Sequence, residues 1–196
     1  MTTTLQIPIF PLGTVLYPDG RLPLRIFEPR YVDMTKACLR DDAPFGVALI
    51  RAGFEVGRPA IPCEIGCTAR IAEWQVPSPG LFTIVAQGVS PFRIVDRRTQ
   101  QDGLIVADVE LREPPAPTPL PKALAHLGSL LLKLIDDLGA ERFPQPQRLD
   151  DADWVAYRLA EVLPIVPERQ QALLELPDPL QRLAAVERAL QELRET

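Results

Sequence analysis

Ser129 and Lys133 lie four residues apart on a predicted helix, at the spacing of a serine–lysine nucleophile pair. A lysine activates a serine only when the lysine is desolvated and its pKa is lowered. Both residues fall on the polar stripe of the helix, together with Lys122, His126 and Asp136. Because water on that stripe would keep the lysine charged, a serine–lysine hydrolase is the least favoured of three candidate functions.

Two of the three cysteines, Cys63 and Cys67, lie four residues apart and could form half of a metal site. A tetrahedral site needs two more ligands. The remaining candidates, Cys38 and the single histidine His126, lie in distant segments. On a strand, positions 63 and 67 share a face, so the spacing favours two buried thiols. The sequence predicts neither a metal nor a cofactor.

The composition argues against several other classes of protein. The 196 residues carry 21 Lys and Arg against 26 Asp and Glu, and this net charge of −5 argues against nucleic-acid binding. The sequence has no G-x-x-x-x-G-K-[ST] phosphate loop, no G-x-S-x-G motif and no apolar run long enough to span a bilayer. The N-terminus lacks the pattern of a secretory signal and the cysteine count is odd, so we expect a cytoplasmic protein without a membrane partner.

The pattern of apolar residues changes near residue 115, and we expect the chain to have two parts. Residues 1–113 contain short, β-branched segments interrupted by Gly and Pro, typical of a curled antiparallel or mixed sheet. One helix, from Pro29 to about Arg40, interrupts them. Residues 114–121 are rich in proline and predict an extended connector, and residues 122–196 predict a helical bundle. The predicted strands are Ile7–Leu12, Leu22–Phe27, Phe45–Ile50, Ile65–Trp74, Leu81–Gln87, Phe92–Asp96 and Leu104–Leu111.

The most specific pattern is the segment PLRIFEPRY at residues 23–31. It resembles the P-L-x-I-F-E-P-R-Y segment near the start of the N-terminal domain of the Lon protease family, the ATP-dependent protease La. Residues 45–50, 65–71 and 170–183 resemble later segments of the same domain, so the resemblance covers nearly the whole chain. The family-motif residues are Pro23, Leu24, Phe27, Glu28, Pro29, Arg30 and Tyr31.

The resemblance implies an α+β protein, with a PUA-like pseudo-β-barrel that contains one early helix and is followed by a C-terminal helical bundle. It also implies a role in recognising unfolded or tagged polypeptides. A full Lon protease continues into an ATPase module and a serine–lysine protease domain, whereas this sequence ends at Thr196. We therefore expect a freestanding, non-catalytic domain that binds unfolded polypeptides or a protein partner in protein quality control or proteolysis.

A small-ligand or RNA-binding module is the alternative, because PUA-like barrels elsewhere bind RNA. Its phosphate contacts would come from the densest basic cluster, Arg93, Arg97 and Arg98. The acidic net charge makes this the weaker hypothesis, and a solvated strand end also accounts for the cluster.

Three aromatic residues, Trp74, Phe82 and Phe92, are the candidates for polypeptide contact. Alternation along the predicted strand places Trp74 on the face of Thr68 and away from Ile71, beside a hairpin that contains prolines. An exposed tryptophan there would suit peptide docking. Packing in the core is the favoured interpretation of Trp74, since tryptophans are mostly buried and a β-bulge would reverse the alternation.

Glu28 and Arg30 flank Pro29 at the predicted start of the early helix, where the helix N-terminus stabilises a carboxylate. We expect the two side chains to hold the loop and the helix against the barrel. Binding of a ligand carboxylate or of a peptide end is the alternative. Phe27 and Tyr31 are predicted to be core anchors rather than contacts.

Overall fold

The computed structural model describes residues 4–58 and 60–195, which form two compact units that divide between Glu113 and Pro114. The strands of the first unit are β1 (Thr4–Leu12), β2 (Arg21–Ile26), β3 (Phe45–Ala52), β4 (Ile61–Pro62), β5 (Ile65–Ser78), β6 (Leu81–Thr99) and β7 (Ile105–Leu111). Its α-helix, α1 (Pro29–Asp41), follows β2. The α-helices of the second unit are α2 (Ala125–Leu138), α3 (Ala152–Val162), α4 (Pro167–Glu175) and α5 (Pro179–Glu195).

Five strands pair in a closed circuit, in the order β1–β7–β6–β5–β3 and back to β1. The pairs are antiparallel except β1 with β3, which run parallel with Ile9 opposite Gly46. Strand β2 lies outside the circuit and, among the described residues, pairs with β6 alone. This largely antiparallel sheet with five helices agrees with the predicted combination of sheet and helices.

Strand β6 runs unbroken over 19 residues, where two strands, Leu81–Gln87 and Phe92–Asp96, were predicted. The glycine between them, Gly88, does not end the strand. A Cβ at Gly88 would lie 2.0 Å from the carbonyl oxygen of Tyr17, so the glycine permits a close backbone approach. Because β6 is long, it pairs in turn with β2, β5 and β7.

Helix α1 begins with Pro29 in its first turn, where the missing N–H has no intrahelical partner. Its buried face includes Tyr31, Met34 and Cys38, as the helical spacing predicted. Burial raises the pKa of the Cys38 thiol to about 11, and the nearby Asp41 carboxylate adds to the rise. The Cys38 sulfur is therefore a neutral packing group.

Phe92 belongs to a cluster of buried side chains that also includes Ile9 and Val109. Two glycines leave room for its ring, because a Cβ at Gly46 would lie 2.9 Å from ring carbons and one at Gly66 would lie 2.5 Å away. Phe92 is 1% exposed, so the prediction that it contacts a partner was wrong.

A buried arginine, Arg182 on α5, joins three helices of the second unit. Its guanidinium contacts the Asp153 carboxylate at the start of α3 and donates to the carbonyl oxygen of Leu173 on α4 at 3.0 Å. The group lies 4.1 Å from the centroid of the Tyr157 ring. Burial raises the pKa of Asp153, and the positive charge of Arg182 opposes the rise.

None of the helices that the structure describes has both the length and the apolar composition of a membrane-spanning helix.

Candidate functional site

Two cavities border β2 and share the lining residues Pro23, Leu24 and Arg25. The larger, of about 320 Å³, crosses β2, β6 and β5 and is lined in part by Trp74. The smaller, of about 180 Å³, has Phe27 in its wall and takes its other walls from β1, α1 and the loop between β3 and β4. We call the two cavities together the β2 groove.

Trp74 lies on the core face of β5 and is 54% exposed. A bulge after Ile71 reverses the side-chain alternation, so Trp74 is opposite the buried Ile84 and its ring centroid is 6.3 Å from that of Phe82. The predicted face was therefore wrong. The favoured interpretation of a core tryptophan was also wrong, because residues 72–80 at the hairpin tip are all exposed.

Phe27 is 57% exposed, so the prediction of a core anchor was wrong. Strand β2 ends at Ile26, whose side chain is buried, and the alternation turns the next side chain outward before α1 begins. Tyr31 is buried as predicted, with its ring centroid 4.1 Å from that of Phe10. The smaller cavity therefore has an aromatic floor and an exposed aromatic rim.

Phe82 is 6% exposed, so it cannot serve as a direct contact. It lies opposite Ile26 in the β2–β6 ladder and belongs to the core cluster that packs against α1. The prediction for Phe82 was wrong because every second residue of β6 from this position to Gly88 points into the protein. Phe82 is therefore a core residue whose ring lies near that of Trp74.

Arg30 holds the start of α1 against two loops. Its guanidinium donates to Glu28 at 3.0 Å, to the Gly57 carbonyl oxygen at 2.9 Å and to the Gly103 carbonyl oxygen at 3.1 Å. The group is 5% exposed and lies 4.7 Å from the Tyr31 ring centroid. Burial raises the pKa of the Tyr31 hydroxyl. These contacts agree with the structural role expected for the pair.

The loop between β3 and β4 forms one wall of the groove. Its Glu55 carboxylate accepts a hydrogen bond from the Gly13 N–H at 2.5 Å. Gly53 and Gly57 have φ of +96° and +94°, a conformation that other residues rarely adopt. Val56 lies between the two glycines, is 58% exposed and lines the smaller cavity. The loop thus presents an apolar side chain on a tethered backbone.

The other sequence candidates lie outside the β2 groove. Ser129 and Lys133 are both exposed on α2, and the Ser129 hydroxyl donates to the Ala125 carbonyl oxygen at 3.4 Å. Cys67 is buried and Cys63 is half-buried. In the part of the chain that the structure describes, no three His, Cys, Asp or Glu side chains are grouped so that they could hold a metal ion.

The predicted phosphate contacts on β6 are partly occupied by neighbours. Arg93 pairs with Glu110 at 2.5 Å, and Arg98 donates to the Gln6 side chain at 3.1 Å. Arg97 is exposed beside Asp96, whose carboxylate accepts from the Arg97 backbone N–H. The carboxylates of Glu110 and Asp96 therefore place negative charge beside Arg93 and Arg97, which weakens their attraction for a phosphate backbone.

Arg25 and Val56 are among the groove residues that were not predicted from the sequence. Arg25 is exposed and lies between the two cavities. A signal for it was present, because Pro23 within a strand pattern marks an edge strand and so marks its neighbours as accessible. Val56 had no such signal, since its position depends on the contacts that hold the loop.

Residues 6–192 match the family model of the ATP-dependent protease La (LON) substrate-binding domain. The chain belongs to this family. The resemblance found in the motif at residues 23–31 is therefore confirmed over almost the whole sequence.

Two curated relatives and two solved structures show how far the likeness to this LON domain extends. Lon protease 2 of Myxococcus xanthus is 26% identical over 197 residues, which is 96% of this chain and 24% of that protein. Protein cereblon of Xenopus tropicalis is 30% identical over 110 residues, which is 54% of this chain and 24% of that protein. The chain thus spans about a quarter of the length of these relatives.

The crystal structure of a Lon N-terminal domain protein from Xanthomonas campestris is similar over 95% of this chain and 98% of that one, with a TM-score of 0.78 and 32% identity. The N-terminal domain of the Mycobacterium avium complex Lon protease shares the fold, with a TM-score of 0.59 and 19% identity, over 93% of this chain and 96% of that one.

Proposed function

We propose that this LON domain binds unfolded polypeptides or a protein partner through the β2 groove, and that it performs no catalysis. The observation that carries the proposal is the pair of half-exposed aromatic side chains, Trp74 at 54% and Phe27 at 57%, on the two cavities of one groove. Large aromatic side chains supply much of the binding free energy at protein interfaces. The family match to a substrate-binding domain supports the same role.

The chemistry of the groove suits apolar segments of a polypeptide. Two of its wall carboxylates already have partners, because Glu28 pairs with Arg30 and Glu55 accepts a hydrogen bond from the Gly13 N–H. Leu24 and Val56 extend the apolar surface between and beside the aromatic rings. Folded proteins keep such apolar segments buried, so the groove would favour unfolded chains.

We extend the proposal to the setting of the domain. The closed strand circuit with α1 against it supports a PUA-like pseudo-β-barrel. Binding of unfolded chains fits protein quality control or proteolysis in the cytoplasm. The relatives named Lon protease support a connection with proteolysis.

The test uses a labelled model protein kept unfolded by reduction and alkylation of its disulfides, with its native form as the comparison. Fluorescence anisotropy measures the affinity of each for the domain. We expect the unfolded form to bind and the native form to bind much more weakly. Equal, weak binding of both forms would overturn the proposal.

The matched control for the site is the variant Val95→Ala. Val95 is 54% exposed on β6 and lies outside both cavities. Its substitution therefore removes an exposed apolar side chain from a surface outside the groove. The double variant Trp74→Ala, Phe27→Ala should lose binding of the unfolded protein, whereas Val95→Ala should retain it. Equal losses in both variants would place the site elsewhere.

A further inference from the structure

Among the described residues, no strand pairs with the outer edge of β2, the edge away from β6. Its register with β6 is regular, and the Gly88 N–H donates to the Gly20 carbonyl oxygen at 2.9 Å. Hydrogen-bonded pairs recur at every second residue of an antiparallel ladder, so Leu22 and Leu24 bond to β6. The backbone groups of residues 21, 23 and 25 therefore face the open edge.

The position of the proline agrees with this assignment. Pro23 has no N–H, and it falls at a position whose backbone faces away from β6. The open edge consequently offers five groups: the N–H of Arg21 and of Arg25, and the carbonyl oxygens of residues 21, 23 and 25. An extended segment laid against this edge would hydrogen-bond to these groups without reference to its own sequence.

The side chains of β2 give the two faces of such an added strand different characters. Arg21, Pro23 and Arg25 are exposed on the outer face. Leu22 and Leu24 are half-buried on the inner face and pack against the core beside α1. Because side chains of neighbouring strands share faces, alternate residues of an added strand would point towards the apolar inner face and towards the arginines.

The two arginines on the outer face of β2 differ, because Arg25 forms no ion pair among the described residues and Arg21 does. Arg21 pairs with Glu73 of β5, so its charge is already offset. Among the described residues, Arg25 makes neither an ion pair nor a side-chain hydrogen bond, although it lines both cavities. An acidic side chain directly opposite would supply the missing partner.

We infer that the open edge of β2, beside the smaller cavity of the groove, takes up an extended segment as an added strand whose apolar residues alternate with acidic ones, with an acidic residue opposite Arg25. This inference rests on the proposed function and names the class of polypeptide that the groove selects. A second copy of β2 is a poorer occupant. It would bring its own Arg21 and Arg25 to an edge that already carries two arginines, and facing like charges are destabilising.

The backbone part of the inference is tested with fluorescein-labelled peptides of about six residues, the length of β2, in which leucine alternates with glutamate. One version carries N-methyl groups on the leucine amides and another on the glutamate amides. In an extended strand, the leucine amides face one edge and the glutamate amides face the opposite edge. We expect one version to lose at least about tenfold in affinity and the other to bind like the parent peptide. Tolerance of both sets, or equal loss with both, would overturn strand addition.

The side-chain part is tested by charge reversal with Arg25→Glu. This variant should bind the leucine–glutamate peptide about three- to tenfold more weakly and a leucine–lysine peptide correspondingly more tightly. Arg97→Glu is the matched control, since Arg97 is exposed on β6 and lies outside both cavities. Arg97→Glu changes the net charge by the same amount as Arg25→Glu. It should keep the wild-type preference for the leucine–glutamate peptide over the leucine–lysine peptide. The same shift in both variants would show a general charge effect and contradict the inference.

Failure of this inference can be told apart from failure of the proposed function. If leucine-rich peptides bind regardless of N-methylation and of the charge at residue 25, the groove is a plain apolar site and strand addition is wrong. If neither the peptides nor the unfolded model protein binds, the proposed function itself is wrong.

Discussion

Trp74 lies directly opposite Ile84 in the β5–β6 ladder, and that pairing places the indole on the face of the sheet that carries the core. Ile84 is 3% exposed and Trp74 is 54% exposed. On this face of the sheet, the side chain on β6 is therefore buried and its neighbour on β5 is accessible. The apolar face of the sheet therefore continues outward into the β2 groove.

The first prediction concerns the two exposed aromatic residues of the groove. Trp74→Ala and Phe27→Ala should each weaken binding of an unfolded model protein by about 1 to 2 kcal/mol, because each removes an aromatic contact at the interface. Their free energies of unfolding should change less than for a core residue, since both side chains are half exposed. Titration of each variant, with Val95→Ala as the control, checks this prediction. Affinities equal to that of the control would contradict it.

The second prediction separates core aromatic residues from contact residues. Phe92→Ala should lower the free energy of unfolding by about 3 to 5 kcal/mol, because it leaves a cavity between Gly46 and Gly66. The folded variant should keep the wild-type affinity for unfolded polypeptides. Urea titration measures the first quantity and anisotropy the second. The control is Val89→Ala, half exposed on the same strand, for which we expect a change within about 0.5 kcal/mol.

Much of the first unit could be predicted from local patterns. The helix after Pro29 and its buried face of Tyr31, Met34 and Cys38 follow from proline preference and helical spacing. The motif at residues 23–31 led to the family that the match over residues 6–192 shows. These features depend on residues close together in the sequence.

The parts that could not be predicted depend on distant contacts. The bulge after Ile71 exists only in the pairing of β5 with β6, and it reversed the face of Trp74. The continuity of β6 through Gly88 depends on the backbone of Tyr17. Phe27 was placed in the core because the chain turns just after Ile26, and no local signal showed which way its side chain would point. The candidate site therefore emerged from the structure, with only Trp74 among the predicted contacts remaining accessible.

The third prediction concerns Arg30, which joins α1 to two loops. Arg30→Met should lower the free energy of unfolding by about 3 kcal/mol, because it leaves Glu28 and two carbonyl oxygens without their donor. The loop at residues 53–58 should also exchange its amide hydrogens faster, since Gly57 loses its tie to the helix. Arg30→Lys keeps the positive charge but loses the forked geometry of the guanidinium. Its free energy of unfolding should lie between those of the wild type and of Arg30→Met. An unchanged exchange rate in the loop would contradict the role assigned to Arg30.

The fourth prediction concerns the three thiols. Near neutral pH, Cys63 should react with iodoacetamide before Cys38 and Cys67, because it is half-buried and they are buried. The pKa of Cys38 is raised to about 11, so the fraction present as reactive thiolate is very small and grows only as the pH approaches that value. Mass spectrometry of the alkylated peptides over time measures the three rates.

The variant Cys63→Ser is the control for the labelling experiment, and it should remove the fast phase alone. Unfolding in urea should make all three thiols react at similar rates. Labelling of Cys38 as fast as that of Cys63 in the folded protein would contradict the packing of α1 against the sheet.

The most direct measurement of the central claim is hydrogen exchange of the domain, with and without saturating unfolded model protein. If polypeptides bind in the β2 groove, amides in residues 21–27 and 73–76 should exchange more slowly in the complex, while those of α2 should be unaffected. Protection confined to other segments, or no protection in the presence of bound polypeptide, would contradict the account.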